Sequence, residues 1–195
     1  IHSTGLDQHT LIVVCADNGP TAWPRYQKEG LDAPGWTGGL RGRKWSLYEG
    51  GIREPLIVSW PGKVPAGKTN DSTVWYYADF MATVTDLIEV ETPETDGVSI
   101  LPTLMGYDQD LSDRFIYWER HAGGGFKQAV RWQNWKAVRP PTDQLLNEPL
   151  ELYNLDTDPG ETTNLYFKNP EIVRELKGKL EAVSYTHLTL PTNRE

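Results

Sequence analysis

Thr10-Leu11-Ile12-Val13-Val14-Cys15-Ala16, closed by Asp17-Asn18-Gly19-Pro20, is the stretch on which the fold turns. A short apolar, β-branched run ended by turn-forming residues reads as a strand buried on both faces, the kind found in parallel sheets. Polar groups at the carboxyl end of such a strand lie where open α/β folds hold their ligands, so Asp17 and Asn18 are well placed for chemistry. The alternative is an Asx turn that only ends the strand. Cys15, inside the run, reads as a small buried thiol.

Outward from this strand, Gly19 to Lys44 is rich in Gly, Pro and Trp without a sustained period and reads as a long loop, a type usually functional or mobile. Leu56-Ile57-Val58-Ser59-Trp60, cut by Pro61-Gly62, reads as a second short strand. From Asp79 to Glu89 the residues Phe80, Thr83, Val84, Leu87 and Ile88 share one helical stripe, with Asp79 as the expected N-cap. After Gly106 the texture changes to short strand-like runs: Phe115 to Glu119, Gln128 to Trp132, Trp135 to Arg139 and Leu150 to Leu155. These predict a small antiparallel sheet. Pro170 to Ala182 sets Ile172, Val173, Leu176 and Leu180 on one apolar face, which predicts a helix covering that sheet. The expected division is 1–110, 111–182 and 183–195. The last segment, from Val183, breaks the helical pattern and resembles translated sequencing-adapter read-through, so His187 within it is not read as a ligand.

Composition narrows the class. The chain has 195 residues, 38% hydrophobic, 24% charged and 11% aromatic with eight Trp, which predicts packed structure built on a core. Its formal charge of -8 is spread along the chain, and no Lys/Arg run marks a nucleic-acid footprint. An acidic protein gains nothing from net charge in attracting an anion, so any anionic ligand must be met by individually placed Lys and Arg residues. The single Cys15 excludes an internal disulfide and fits either redox compartment. There is no apolar run of transmembrane length. The opening Ile1-His2-Ser3-Thr4-Gly5, without a start Met or signal pattern, predicts an upstream segment.

Two motifs in order, Asp17-Asn18-Gly19-Pro20 and then Leu40-Arg41-Gly42-Arg43-Lys44-Trp45-Ser46-Leu47-Tyr48-Glu49-Gly50-Gly51-Ile52-Arg53-Glu54-Pro55, resemble consecutive signatures of the formylglycine-dependent sulfatases. The resemblance continues through Trp60-Pro61-Gly62-Lys63, Pro65-Ala66-Gly67, Asp96-Gly97-Val98-Ser99, Tyr117-Trp118-Glu119 and Leu152-Tyr153-Asn154-Leu155 to Asp158-Pro159-Gly160-Glu161, nearly everything before Val183. It implies an α/β fold: the C-terminal part of an alkaline-phosphatase-like sheet sandwich, plus a small antiparallel β subdomain with a C-terminal helix.

The same resemblance implies a site. Asp17 and Asn18 match a pair that completes a calcium site, and carboxylate plus amide oxygen suit a hard cation. Lys44 matches a lysine that contacts a sulfate oxygen, where an ammonium opposes charge build-up in the transition state. Read alone, Lys44 would be solvated surface. Arg43 stands where the pattern has Gly and is a candidate substrate contact. Glu49 and Arg53 read as an ion pair locking the loop, with Gly50-Gly51 a tight turn between them. His121, before the Gly123-Gly124-Gly125 run, is a candidate substrate contact whose alternative is a solvated hairpin tip; Arg120 is a weaker one.

The family's Cys-x-Pro-x-Arg nucleophile sequence does not occur, nor do the upstream Asp pair, His and Lys that would precede Asp17. The resemblance therefore implies a missing N-terminal half of the same domain. The parent enzyme would cleave sulfated glycans or aryl sulfates in a periplasm or outside the cell, and the fragment alone would be inactive. A phosphodiesterase or phosphonate monoester hydrolase of the same superfamily is the neighbouring alternative. A non-catalytic carbohydrate-binding module is another; it predicts Trp side chains aligned on an exposed face, whereas the sulfatase reading predicts several buried or around a cleft.

Overall fold

A computed structural model describes residues 1–21, 28–29, 35–121, 126–142 and 150–189, and its chain divides into two units. One comprises Ile1–Ala16 with Pro55–Leu111; the other comprises Asp17–Glu54 with Ser112–Glu195. Most of the Gly19 to Lys44 loop lies outside the described residues.

In the first unit, β1 (Ile12–Cys15) pairs antiparallel with β2 (Leu56–Ser59), Ile12 opposite Ser59 and Cys15 opposite Leu56. This corrects the expected parallel neighbour: an apolar run specifies burial, but only the returning partner sets direction. Burial on both faces is corrected too. Val14 is 54% exposed and Ile57 63%, and Cys15 is exposed instead of buried, with its Sγ 3.5 Å from the Tyr77 hydroxyl. Leu56 and Val58 are half-buried while Ile57 and Ser59 point outward, the period of two of a strand with one covered face. Val13, Leu56 and Val58 line a cavity together with Thr83, Val84 and Leu87 of α2 (Ala78–Leu87) and Leu104 of α3 (Leu101–Leu104); α1 (Glu49–Ile52) belongs to the other unit.

On α2, Ala82 and Thr83 are buried and Val84 and Leu87 half-buried, whereas Phe80 and Ile88 are about half exposed or more. Asp79 is not the N-cap. It lies inside the first turn, fully buried, and accepts hydrogen bonds from Tyr76 N–H at 2.8 Å and Val98 N–H at 3.0 Å. A carboxylate placed there ties the Asp96-Gly97-Val98 segment to the helix start, a long-range role that helical periodicity does not encode.

The second unit carries an antiparallel sheet in chain order: β3 (Phe115–His121), β4 (Phe126–Trp132), β5 (Trp135–Thr142) and β6 (Glu151–Asn154). The predicted runs fall inside these strands or at their ends. Gln133, at φ 54, and Asn134 make a two-residue turn that sets Trp132 opposite Trp135, the backbone handedness favoured in tight hairpins. Pro140 and Pro141 sit where the ladder to β4 shifts register, a place that tolerates a missing donor.

Alternation along the strands gives the sheet two covered faces. Val130, Ala137 and Leu152 form one core with Leu176 and Leu180 of α4 (Pro170–Thr189), against which Ile172 and Val173 also pack. The predicted inward face of this helix is therefore the observed one. Each fully buried Leu contributes roughly 1.5–3 kcal/mol relative to exposure. Ala129, Val138 and Tyr153 face the other way, onto Leu47, Tyr48 and Ile52. The helix does not break at Val183 as expected but continues to Thr189, because no Gly or Pro follows Val183 until Pro191. No helix among the described residues is long and apolar enough to cross a membrane.

Candidate functional site

Asp17, Asn18, Arg43 and Lys44 lie on two segments of the second unit, and glycine brings those segments together. Gly19 N–H donates to Gly51 O at 3.0 Å, and a Cβ on Gly19 would sit 1.9 Å from Gly50 O. A Cβ on Gly51 would lie 2.3 Å from Ser46 O and 2.6 Å from Arg43 O. Any side chain at either position would drive the Asp17–Pro20 segment and the 40–46 loop off α1. Lys44 N–H completes the tie by donating to Pro20 O at 3.1 Å. The backbone carrying Lys44 is thus bound directly to the segment carrying Asp17 and Asn18.

Asp17 is exposed and Asn18 half-buried; the Asn18 amide donates through Nδ2 to Gly19 O at 3.1 Å, which leaves Oδ1 as its acceptor. Glu54 is a neighbour that the sequence reading passed over. Burial first, and then the charge of Asp17, raises its carboxyl above the ordinary value. The donor set of Asp17 carboxylate and Asn18 amide oxygen fits a hard oxygen-seeking cation, but supplies only part of the six to eight oxygens calcium normally takes. Among the described residues no cluster of three or more His, Cys, Asp or Glu side chains forms a metal site.

Lys44 is half-buried, and among the described residues no carboxylate forms an ion pair with it. Beside it, the Arg43 Nη1 is buried without a hydrogen-bond partner. His121 is the last residue of β3; its side chain lies outside the described residues. The end of the β3–β4 hairpin is nevertheless fixed to the Lys44 loop. Arg120 pairs with Lys127 across the strands, Lys127 Nζ donates to Trp45 O at 3.2 Å, and the Arg120 guanidinium lies 5.8 Å from the Trp45 ring centre.

Beneath the loop lies a buried charge cluster of which the sequence showed only an edge. The expected Glu49–Arg53 pair is present at 3.7 Å, but Glu49 also accepts from Lys136 Nζ at 2.7 Å. Glu161 Oε1 is 2.9 Å from the same ammonium, close enough for attraction though not aligned as a hydrogen bond, and its Oε2 accepts from Glu49 N–H at 2.6 Å. Burial outweighs the pull of Lys136 and raises the Glu161 carboxyl above its ordinary value. A second cluster pins Arg41: its Nη1 donates to Tyr153 Oη at 2.6 Å and Glu161 O at 3.1 Å, and its guanidinium stacks 3.7 Å from the Tyr48 ring centre. Tyr48 and Tyr153 both donate to Glu151 Oε2, at 2.5 and 2.8 Å, and burial followed by this carboxylate raises both phenols. Lys136, Glu161 and Glu151 carried no spacing signal, since their partners are distant in sequence.

The chain is similar to known proteins over most of its length. Residues 41–186 match the family model described as N-sulphoglucosamine sulphohydrolase, C-terminal, and the chain belongs to that family. It is 30% identical to an N-acetylgalactosamine-6-O-sulfatase of Bacteroides thetaiotaomicron over 94% of this chain and 38% of that protein. It is 29% identical to human arylsulfatase A, over 91% of this chain and 38% of that protein. Among solved structures, the crystal structure of Ps i-CgsB in complex with k-i-k-neocarrahexaose superposes with a TM-score of 0.76 at 27% identity, covering 94% of this chain and 38% of that one. The chain therefore spans well under half the length of these relatives, and its α/β architecture is that of the alkaline-phosphatase-like sulfatases.

Proposed function

We propose that this chain supplies part of the cation and sulfate site of a sulfuric ester hydrolase acting on sulfated glycans or aryl sulfates. The observation that carries this reading is the tie between Lys44 N–H and Pro20 O, locked by Gly19 on Gly51, which joins the segment of Asp17 and Asn18 to that of Lys44. In this reading Asp17 and Asn18 hold calcium together with oxygens from outside the described residues; when bound, the ion offsets negative charge on the sulfuryl group. Lys44 donates to a sulfuryl oxygen and stabilises charge gathered there as the ester bond breaks. Arg43 and His121 contact the substrate. Names of relatives that include N-acetylgalactosamine-6-O-sulfatase and arylsulfatase A support the substrate class.

The Trp distribution supports the hydrolase over a flat sugar-binding face: among the described residues Trp36 and Trp45 are exposed, at 81% and 41%, whereas Trp60, Trp75, Trp118, Trp132 and Trp135 are partly buried. The nucleophile belongs to sequence outside these residues, so the chain by itself does not turn over. Export to a periplasm or the cell exterior belongs to the same proposal. The test is hydrolysis of an aryl sulfate and a sulfated glycan by the full-length gene product, beside the matching phosphate esters. Lys44→Ala is expected to lower sulfate-ester turnover by about 10²-fold or more. Wild-type turnover in that variant, or preference for the phosphate ester, would overturn the reading.

A further inference from the structure

Lys44 stands in a loop whose two ends meet at one residue, Glu161. At the entry, Arg41 Nη1 donates to the Glu161 carbonyl at 3.1 Å. At the exit, Glu49 N–H, the first amide of α1, donates to Glu161 Oε2 at 2.6 Å. Between these ends Gly50 N–H donates to Arg41 O at 2.7 Å and Ser46 N–H to Arg43 O at 2.9 Å, so the loop closes on itself. Glu161 is in turn held from behind. Its own N–H donates to Asp158 O at 3.1 Å and Asp158 N–H to Asn154 O at 2.8 Å, which makes the turn a continuation of β6. The residue sits at φ 53, a left-handed conformation uncommon outside glycine, and its side chain is fully buried. Backbone and desolvation therefore both oppose a glutamate here, and its contacts must outweigh them. Neutralising Lys136 does not account for it, because Glu49 Oε1 already lies 2.7 Å from that ammonium. The contacts that only Glu161 makes are those to the two ends of the loop.

We infer that Glu161 is a positioning residue: it clamps both ends of the 41–49 loop and so fixes where Lys44 stands relative to the segment of Asp17 and Asn18. The clamp reaches that segment through α1, whose Gly51 carbonyl accepts from Gly19 N–H, and through Lys44 N–H on Pro20 O. Its effect on turnover rests on the hydrolase reading; its effect on the loop does not. The first measurement is amide hydrogen exchange of the full-length gene product, followed by mass spectrometry. In Glu161→Ala, exchange across residues 41–51 should rise by at least about tenfold, while exchange in β4 stays within about threefold. The second is turnover of an aryl sulfate per folded protein. A displacement of about 1 Å in a charge-stabilising group costs up to about 10²-fold, so Glu161→Ala should lower kcat about tenfold or more with KM within about threefold. In the Lys44→Ala background the same substitution should cost less than about threefold, because the group being positioned is gone. A residue that served only stability would cost the same factor in both backgrounds. Glu161→Asp keeps the carboxylate and is tolerated in the left-handed region, but falls one methylene short of the Glu49 amide. It should show the same pattern at smaller size, and it decides the matter if Glu161→Ala does not fold. Unchanged exchange across the loop, or equal losses with and without Lys44, would overturn the positioning role. If the wild-type protein hydrolysed no sulfate ester, the hydrolase reading would fail, and faster exchange confined to the loop would leave the clamp standing.

Discussion

The largest fully buried side chains of the second unit include Lys136, Glu49 and Glu161 beside Leu152, Leu176 and Tyr153, whereas in the first unit only Asp79 belongs to that group. The second unit covers its sheet on both faces and threads a charged network through one of them. The first covers one face of a two-stranded ribbon and leaves Val14, Ile57 and Ile88 more than half exposed. On the proposed reading the loop holds an ammonium and a cation-binding pair in place and needs a stiff floor; buried ion pairs supply one that fails sharply when a partner is removed.

The strongest way to break this contrast is Lys136→Met, which leaves Glu161 without its counter-ion and Glu49 with only the half-exposed Arg53 at 3.7 Å. It should destabilise the second unit by about 3–5 kcal/mol, read from urea denaturation followed by circular dichroism. A loss below about 1 kcal/mol would show that the cluster is not the floor of the loop. Adding Glu49→Gln and Glu161→Gln to that variant should return part of the loss, since the buried charges are then gone together.

A matched pair of core truncations sharpens the contrast. Leu176→Ala, at a position 0% exposed, should cost about 2–5 kcal/mol, whereas Phe80→Ala, at one 49% exposed, should cost under about 1.5 kcal/mol. Equal costs in the same denaturation assay would mean that Phe80 is covered in solution.

The smallest effect concerns the turn after β6. Burial opposes the charge on Asp158, but hydrogen bonds from Thr163 N–H at 2.8 Å and from the Thr162 N–H and hydroxyl win and hold its carboxyl below the ordinary 3.8. A carboxyl lowered on folding adds stability that is present above its ordinary value and disappears as pH falls through the lowered one. Asp158→Ala should cost about 1 kcal/mol near neutrality, as loss of a cap does, and less below pH 3.8. Thermal melts across that range would reveal it, and a pH-independent difference would refute the stabilising role of the Asp158 carboxylate in this turn.

Period and motif order carried much of this protein in its sequence. The Ile172, Val173, Leu176, Leu180 face and the strands from Phe115 to Leu155 were legible because each depends on residues close together in the chain, whereas the pairing of Asp17-Asn18 with the Lys44 motif came from the family resemblance. The tertiary structure alone decided that β1 meets β2 antiparallel, that Cys15 is exposed and that Asp79 reaches Val98. It also decided that Glu49 shares Lys136 with Glu161, partners separated from it by 87 and 112 positions. Side-chain periodicity is a local property, fixed by 3.6 or two residues per repeat. Strand direction and the partner of a buried charge depend on which distant segment returns to the same place, and no short window of sequence contains that information.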